Sequence, residues 1–316
     1  FLIGAVCFFF SGGMLRLLNT KEDLIDQASL YLRIYALCMP AMGIYNFGNG
    51  VLSARGETKR PLYYLAIAGV LNVLLNLFFV IVFHMAAAGV ATATAIAQYV
   101  SAGLIMIHLI RRKDECHVSL KNIRFHRDAG IRVLMIGIPA GIQSAVFAIA
   151  NLFVQAGVNS FNTITVSGNA AATNADSLIF NVLYAFYTGC SSFMSQNYGA
   201  GDFQRCKKVY RLCMIFSVIF CGLLSGIFVL GRDFFLRLYT TDPNVLTFAV
   251  QRLLIVTTLE LLTSTYEISG GAMRGFGHSL TPALITVVGS CVLRLIWINT
   301  VCRAVHEFWV VMIIYP

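Results

Sequence analysis

Residues 62–84 read Leu62-Tyr-Tyr-Leu-Ala-Ile-Ala-Gly-Val-Leu-Asn-Val-Leu-Leu-Asn-Leu-Phe-Phe-Val-Ile-Val-Phe-His84, 23 positions without an Asp, Glu, Lys or Arg. About 20 mostly apolar residues wound as a helix match the hydrocarbon thickness of a bilayer. In that medium each backbone N–H and C=O needs a partner inside its own segment, so a run of this length and composition is a helix. Outward from it the pattern repeats. Full spans are expected at 30–53, 62–84, 89–110, 133–158, 170–195, 209–230, 247–272 and 280–301, with partial ones at 1–18 and from about 308. That makes eight complete helices and two partial ones, an all-α polytopic membrane protein.

Composition agrees. Of 316 residues, 58 % are hydrophobic and only 12 % are charged, about half the charged fraction of a soluble domain. A soluble enzyme and a disordered chain are both excluded. The net charge of +9 would point to nucleic acid in a soluble protein, but here Lys and Arg sit between apolar runs and obey the positive-inside rule. One set of alternate connections holds 15 of them, including Arg55, Lys59, Arg60, the stretch Arg111 to Arg132, Arg205, Lys207, Lys208, Arg211 and Arg274. The other set, Arg16, Lys21, Arg33, Arg232, Arg237, Arg252 and Arg303, holds 7. The first set is assigned to the cytoplasm, and Arg294 is read as the lone basic residue inside a span. The nine Cys form no Cys-x-x-Cys and read as small buried hydrophobes. The six His show no metal spacing.

Shifting the chain by 221 positions lays 15–61 on 236–282 without a gap, with eleven of 47 positions identical. The matches include Leu15-Arg16-Leu17 on Leu236-Arg237-Leu238, Thr20 on Thr241, Tyr45 on Tyr266, Gly50 on Gly271, Gly56 on Gly277 and Pro61 on Pro282. Span parity is the same in both copies, so the repeat is parallel, about an axis along the membrane normal, as in several transporter folds. The lobes are taken as 1–110 and 133–316, joined by a cytoplasmic linker at 111–132. The first-lobe counterparts of the spans at 133 and 170 would fall ahead of residue 1, so the chain reads as a fragment.

Several segments resemble one family, the multidrug and toxic compound extrusion (MATE) transporters. They are Gln196-Asn-Tyr-Gly-Ala-Gly201 followed by Asp202 and the basic cluster, Ala272-Met-Arg-Gly-Phe-Gly277, Leu52-Ser-Ala-Arg-Gly-Glu-Thr-Lys-Arg-Pro61, Gly69-Val-Leu-Asn-Val-Leu-Leu-Asn76 and Gly89-Val-Ala-Thr-Ala-Thr94. The resemblance implies twelve helices in two six-helix lobes. The chain would then run from part of the third helix to the start of the twelfth, lacking roughly the first two and most of the last. It also implies antiport, with an organic cation or amphiphilic drug leaving as Na+ or H+ enters. No cofactor, no nucleic-acid partner, no metal beyond a possible Na+ and no enzymatic activity are expected. The expected setting is a bacterial cell membrane, as a multi-pass monomer among lipids.

A carboxylate at the centre of a span costs about 2.5–3.5 kcal/mol on insertion scales, so Asp176, Glu260 and Glu267 are the candidate coupling residues. Glu267 is favoured as the charged cavity residue, against a structural carboxyl paired near its helix end. Glu260, seven positions away on the same helix face, either couples or only hydrogen-bonds a neighbouring helix. Asp176 either couples or lies solvated at the outer end of its span. Asn151, Gln155, Asn174 and Asn181 line a polar cavity or act as interhelical glue, and Tyr184 adds aromatic surface suited to a lipophilic cation or to packing. In the first lobe, Asn72, Asn76 and Thr94 match positions that form a cation site in some relatives, though often with Asp where this chain has Asn76; ordinary interhelical hydrogen bonding is the alternative. Pro40 is expected to bend its helix and Pro139 to lie near a helix start. Two other functions stay open: a lipid-linked saccharide flippase, which needs a more cationic cavity, and a membrane-embedded enzyme, which needs paired carboxylates or a metal motif.

Overall fold

The computed structural model describes residues 2–17, 22–124 and 126–315. Phe1, Leu18, Lys21 and the Thr20 match of the repeat lie outside the described residues. The described chain is helical and divides into two compact units, 1–124 and 125–316.

In the first unit, α1 (Leu2–Leu17), α2 (Glu22–Ala54), α3 (Lys59–Leu77) and α4 (Ala86–Arg111) pack with α2 against both α1 and α4 and α3 against α4. A short π-helical turn, Phe78–Val82, ends α3. The core is thin: Ala41, Tyr45 and Leu52 meet Ala102, Ile105 and Leu109. Long apolar side chains such as Ile67, Val70 and Leu74 point outward instead. That is the arrangement lipid favours, because burying Leu or Ile between helices yields no hydrophobic gain there, whereas small residues allow close approach. Gly48 shows it, since a Cβ there would stand 3.1 Å from Ile105.

The polar stretch after α4 is tied to this unit. Arg112 donates to Glu57 at 2.7 and 2.8 Å and to Asp114 at 2.5 and 2.8 Å. Those hydrogen bonds hold the Asp114 carboxyl down at about 2 and keep Glu57 below the ordinary carboxylate range.

The second unit contains α5 (Arg127–Asn159), α6 (Thr163–Gly199), α7 (Phe203–Leu230), the short α8 (Arg232–Arg237), α9 (Pro243–Gly275), α10 (Leu280–Thr286), a π-helical turn (Val287–Val292), α11 (Leu293–Asn299), α12 (Val301–Ala304) and α13 (Phe308–Met312). Helices α6 and α9 run parallel and are the most closely packed pair. Gly168 sits against Phe248 and Ala249 at one end, and Gly275 against Ser191 and Met194 at the other. A Cβ on Gly275 would fall 2.5 Å from that of Met194. Between these contacts Ile179, Leu183, Leu253 and Ile268 fill the core.

At the matched glycines of the two repeat copies the backbone is alike. Gly56 and Gly277 both adopt φ near +80°, which only glycine takes without strain. Around them the bonds coincide in register: Glu57 N–H to Leu52 O and Gly56 N–H to Ser53 O in one copy, His278 N–H to Met273 O and Gly277 N–H to Arg274 O in the other. Each pair is the 6→1 and 5→2 set of a Schellman helix end.

Among the described residues six helical segments, Lys59–Val82, Ala86–Arg111, Arg127–Asn159, Phe203–Leu230, Pro243–Gly275 and Leu280–Ala304, are long and apolar enough to cross a membrane. Helices α2 and α6, also predicted as spans, have 33 and 37 residues but fall outside that set. Both carry runs of polar residues, such as Asn169 and Asn174 with Asp176 in α6. Pro139 is a correction: α5 begins at Arg127, so this proline lies in the helix interior, as Pro40 does in α2. The nine cysteines are all free, and six of them are buried.

Candidate functional site

Helix α9 carries Arg252, Val256, Glu260, Thr263, Glu267 and Arg274 at spacings of three, four and seven, which sets them on one stripe. That stripe faces α5 and α6 across two cavities of the second unit. One, of about 350 Å³, is bounded by Asn151, Asp176, Asn181, Arg252, Glu260 and Arg294 with Phe147, Phe180, Tyr266 and Tyr315. The other, of about 250 Å³, is bounded by Gln143, Tyr184, Tyr187, Glu267 and Arg274. Phe147 and Phe180 border both. The first is at the small end of the usual range for ligand pockets.

The charges in the first cavity are not equivalent. Arg252, 2 % exposed, donates from Nε and Nη2 to Asp176 Oδ2 at 2.9 and 2.6 Å and from Nη1 to Asn169 Oδ1 at 2.5 Å. Its guanidinium lies 4.2 Å over the Tyr315 ring. Arg294 is equally buried and is satisfied by neutral groups. It donates to Asn151 Oδ1 at 2.8 Å, to Ile314 O at 3.1 Å and to Tyr315 O, and it lies 4.6 Å over Phe147. Glu260, 7 % exposed, has neither a hydrogen bond nor an ion pair among the described residues. Asp176 Oδ1 and Thr263 Oγ1 nearby are also buried without a partner. A buried carboxylate in that condition is costly until a cation or a proton reaches it.

The assignment of Arg294 as the lone basic residue inside a span is therefore corrected. Arg252, assigned to an outer connection, is enclosed inside α9, and the cavity holds two guanidiniums beside its two carboxylates. Arg252 lies within the span predicted at 247–272 but was counted among the connection charges. The alternative of Asp176 as a solvated residue at its helix end is corrected with it, since its partner is Arg252.

In the second cavity Arg274 donates to Tyr187 Oη at 2.6 Å and to Gln143 Oε1, while its Nε has no partner. Half-buried Glu267 makes no ion pair among the described residues. Phe180, Tyr184 and Tyr187 form a stacked column along α6, at 6.4 and 5.3 Å. Of the other predicted residues, Gln155 bonds along its own helix to Asn159 and Asn174 is exposed outside either cavity.

In the first unit, Asn76 Nδ2 donates to Asn72 Oδ1 at 3.0 Å and Asn72 Nδ2 to Thr94 Oγ1 at 3.3 Å. Asn72 and Thr94 border a cavity of about 250 Å³, and Asn76 Oδ1 is buried without a partner. The set is joined and offers a spare oxygen, but none of the described residues around that cavity is acidic.

Residues 1–78 and 139–298 match the family model MatE. The chain belongs to the MatE family. As a MatE chain with six helices long and apolar enough to span, it is a multi-pass membrane protein of a transporter family rather than of an enzyme class. It is 32 % identical over 291 residues to the probable multidrug resistance protein YpnP of Bacillus subtilis, covering 92 % of this chain and 65 % of that protein. It is 22 % identical over 288 residues to the probable multidrug resistance protein NorM of Thermotoga maritima, covering 88 % and 60 %. The chain thus spans less than two thirds of the length of either relative. A solved MOP superfamily transporter from Pyrococcus furiosus superposes with a TM-score of 0.88 at 16 % identity over 99 % of this chain and 72 % of that one, a likeness of fold.

The residues that sequence reasoning missed are Arg252, Arg274, Asn169 and Thr263, together with the dividing pair Phe147 and Phe180. The signal for the first two was present: the acids and arginines of 252–274 share one helical stripe.

Proposed function

We propose that this MatE chain forms part of a secondary efflux transporter that exports organic cations or amphiphilic drugs in exchange for Na+ or H+ across a bacterial cell membrane. The observation that carries the reading is Glu260, a buried carboxylate with no hydrogen bond or ion pair among the described residues, beside an aromatic-walled cavity. One carboxylate cannot hold a coupling cation and a cationic drug together, so each displaces the other, and alternation follows from competition. Phe147, Phe180 and Tyr266 suit a flat lipophilic cation through its ring faces. Glu267 supplies a second negative group two turns along the same helix. Asp176 is held by Arg252 and acts by keeping that guanidinium off Glu260. The first-unit set Asn72, Asn76 and Thr94 offers oxygens to Na+ without a charge of its own and is the weaker candidate. The active unit is proposed to be a monomer.

The flippase reading gains support from two guanidiniums in the cavity. It loses it again because Arg252 is bound to Asp176 and Arg294 to Asn151 and two carbonyls, so neither is free for a pyrophosphate. Transport by the purified protein in vesicles separates the readings. Efflux of a cationic dye driven by an inward Na+ or pH gradient is expected, with loss in Glu260→Gln. Gradient-independent transport of a lipid-linked sugar would replace the antiport reading.

A further inference from the structure

A third cavity lies at the opposite end of the second unit from the Asp176–Arg252 pair, where α6 ends, α7 begins and α9 ends. It holds about 380 Å³ and is almost wholly apolar, walled by Met194, Phe203, Cys206, Ala272, Met273 and Phe276. Its polar members are spent or peripheral: Tyr210 and Ser269 bond each other at 3.0 Å, and Lys207 completes the lining. Tyr198 packs edge-on to Phe203 and Phe276 at 5.9 and 5.0 Å, an aromatic cluster of the kind that marks a membrane–water boundary. The first turns of α7 carry Arg205, Lys207, Lys208 and Arg211, all exposed and none in an ion pair among the described residues. The one acid beside them, Asp202, caps α7 by accepting from Arg205 N–H at 2.9 Å. Lys207 and Arg211 stand one turn apart on the same face. Leu262, seven residues before Ser269 and so on the same face of α9 as the groove, is 63 % exposed, so the apolar path continues from the groove along α9 toward the middle of the helix.

We propose that this groove is a binding site for an anionic phospholipid of the cytoplasmic leaflet. The headgroup phosphate pairs with Lys207 and Arg211, and one acyl chain lies in the groove and leaves it along Leu262. An apolar slot at the boundary suits a tail, and Lys207 in its lining, with Arg211 one turn further along α7, selects against a cationic or zwitterionic headgroup. A basic residue near an anionic lipid surface contributes about 1 kcal/mol, a factor of about five in affinity.

The test is native mass spectrometry of the delipidated purified protein titrated with phosphatidylglycerol and with phosphatidylcholine of the same acyl chains. Phosphatidylglycerol is expected to bind at least about ten-fold more tightly. Lys207→Gln weakens it about five-fold and Lys207→Gln/Arg211→Gln about 25-fold, while Lys113→Gln/Lys121→Gln, which removes two charges elsewhere, leaves it unchanged. Ala272→Leu fills the slot and abolishes tight binding with the charges intact. If that variant fails to assemble, half-buried Met273→Trp serves the same purpose. Equal binding of the two lipids, an equal effect from the Lys113/Lys121 pair, or binding of glycerol phosphate as tight as that of the whole lipid overturns the proposal.

Discussion

Replacing Arg252 by Met isolates Asp176. The carboxylate is 8 % exposed, its Oδ1 has no partner, and both hydrogen bonds to Oδ2 come from Arg252. The variant also strips Asn169 Oδ1 of its donor. Removing one member of a buried pair costs about 3–5 kcal/mol, because the other charge is left uncompensated. For a unit of this size each kcal/mol moves the melting midpoint by about 2–4 °C, so the drop is about 6–20 °C. Substituting both partners, Asp176→Leu with Arg252→Met, removes the desolvation cost together with the attraction. That double variant should melt within a few degrees of the native protein. The assay is thermal unfolding of the purified protein in detergent for all four corners of the cycle, which reads the coupling directly. If Arg252→Met alone is as stable as the double variant, Asp176 does not depend on this guanidinium, and the reasoning that leaves Glu260 as the free carboxylate fails with it.

Other outcomes follow from the same geometry. Gly275→Leu forces side-chain atoms into Met194 and the α6 backbone and should destabilise by about 1–3 kcal/mol, while Gly226→Ala on α7, with open space around its Cβ position, should be neutral or slightly stabilising in the same melting assay. Arg112→Gln releases Asp114 and Glu57 toward the ordinary carboxylate range, measurable as an upward shift of their protonation in infrared titration. Because Arg112 depresses both carboxyls, the stability this latch provides is present above their unfolded values and is lost as pH falls toward 2. Protection of residues 112–118 from proteolysis should therefore be full at neutral pH and absent in Arg112→Gln; protection unchanged by the substitution would contradict it.

Much of the architecture was legible because bilayer thickness and helical closure leave few choices, so apolar run lengths located the helices, six of which are long and apolar enough to cross a membrane among the described residues. Gly56, Gly277 and their neighbours exposed the repeat because left-handed turns admit little but glycine. The candidate site was less legible, for a reason visible at Arg252. Counting Lys and Arg to orient the spans treats each as a loop charge, and this absorbed two arginines that belong to the α9 stripe. Only tertiary packing pairs Asp176 with Arg252, 76 positions apart, and no local pattern announces it. The same holds for Phe147 and Phe180, which are ordinary apolar residues until two cavities are seen to share them. The π-helical turns at Phe78–Val82 and Val287–Val292 also left no trace in the sequence that we recognise.

The central claim is that one carboxyl, Glu260, is used in turn by a cationic ligand and by the coupling ion. Isothermal titration of the purified protein with tetraphenylphosphonium, repeated across Na+ concentration and across pH in buffers of different ionisation heat, tests it most directly. The account predicts that binding weakens as one of those two ions rises, that an ion is released on binding, and that both effects disappear in Glu260→Gln. Binding of the same strength at every Na+ concentration and pH, unchanged by Glu260→Gln, would contradict it.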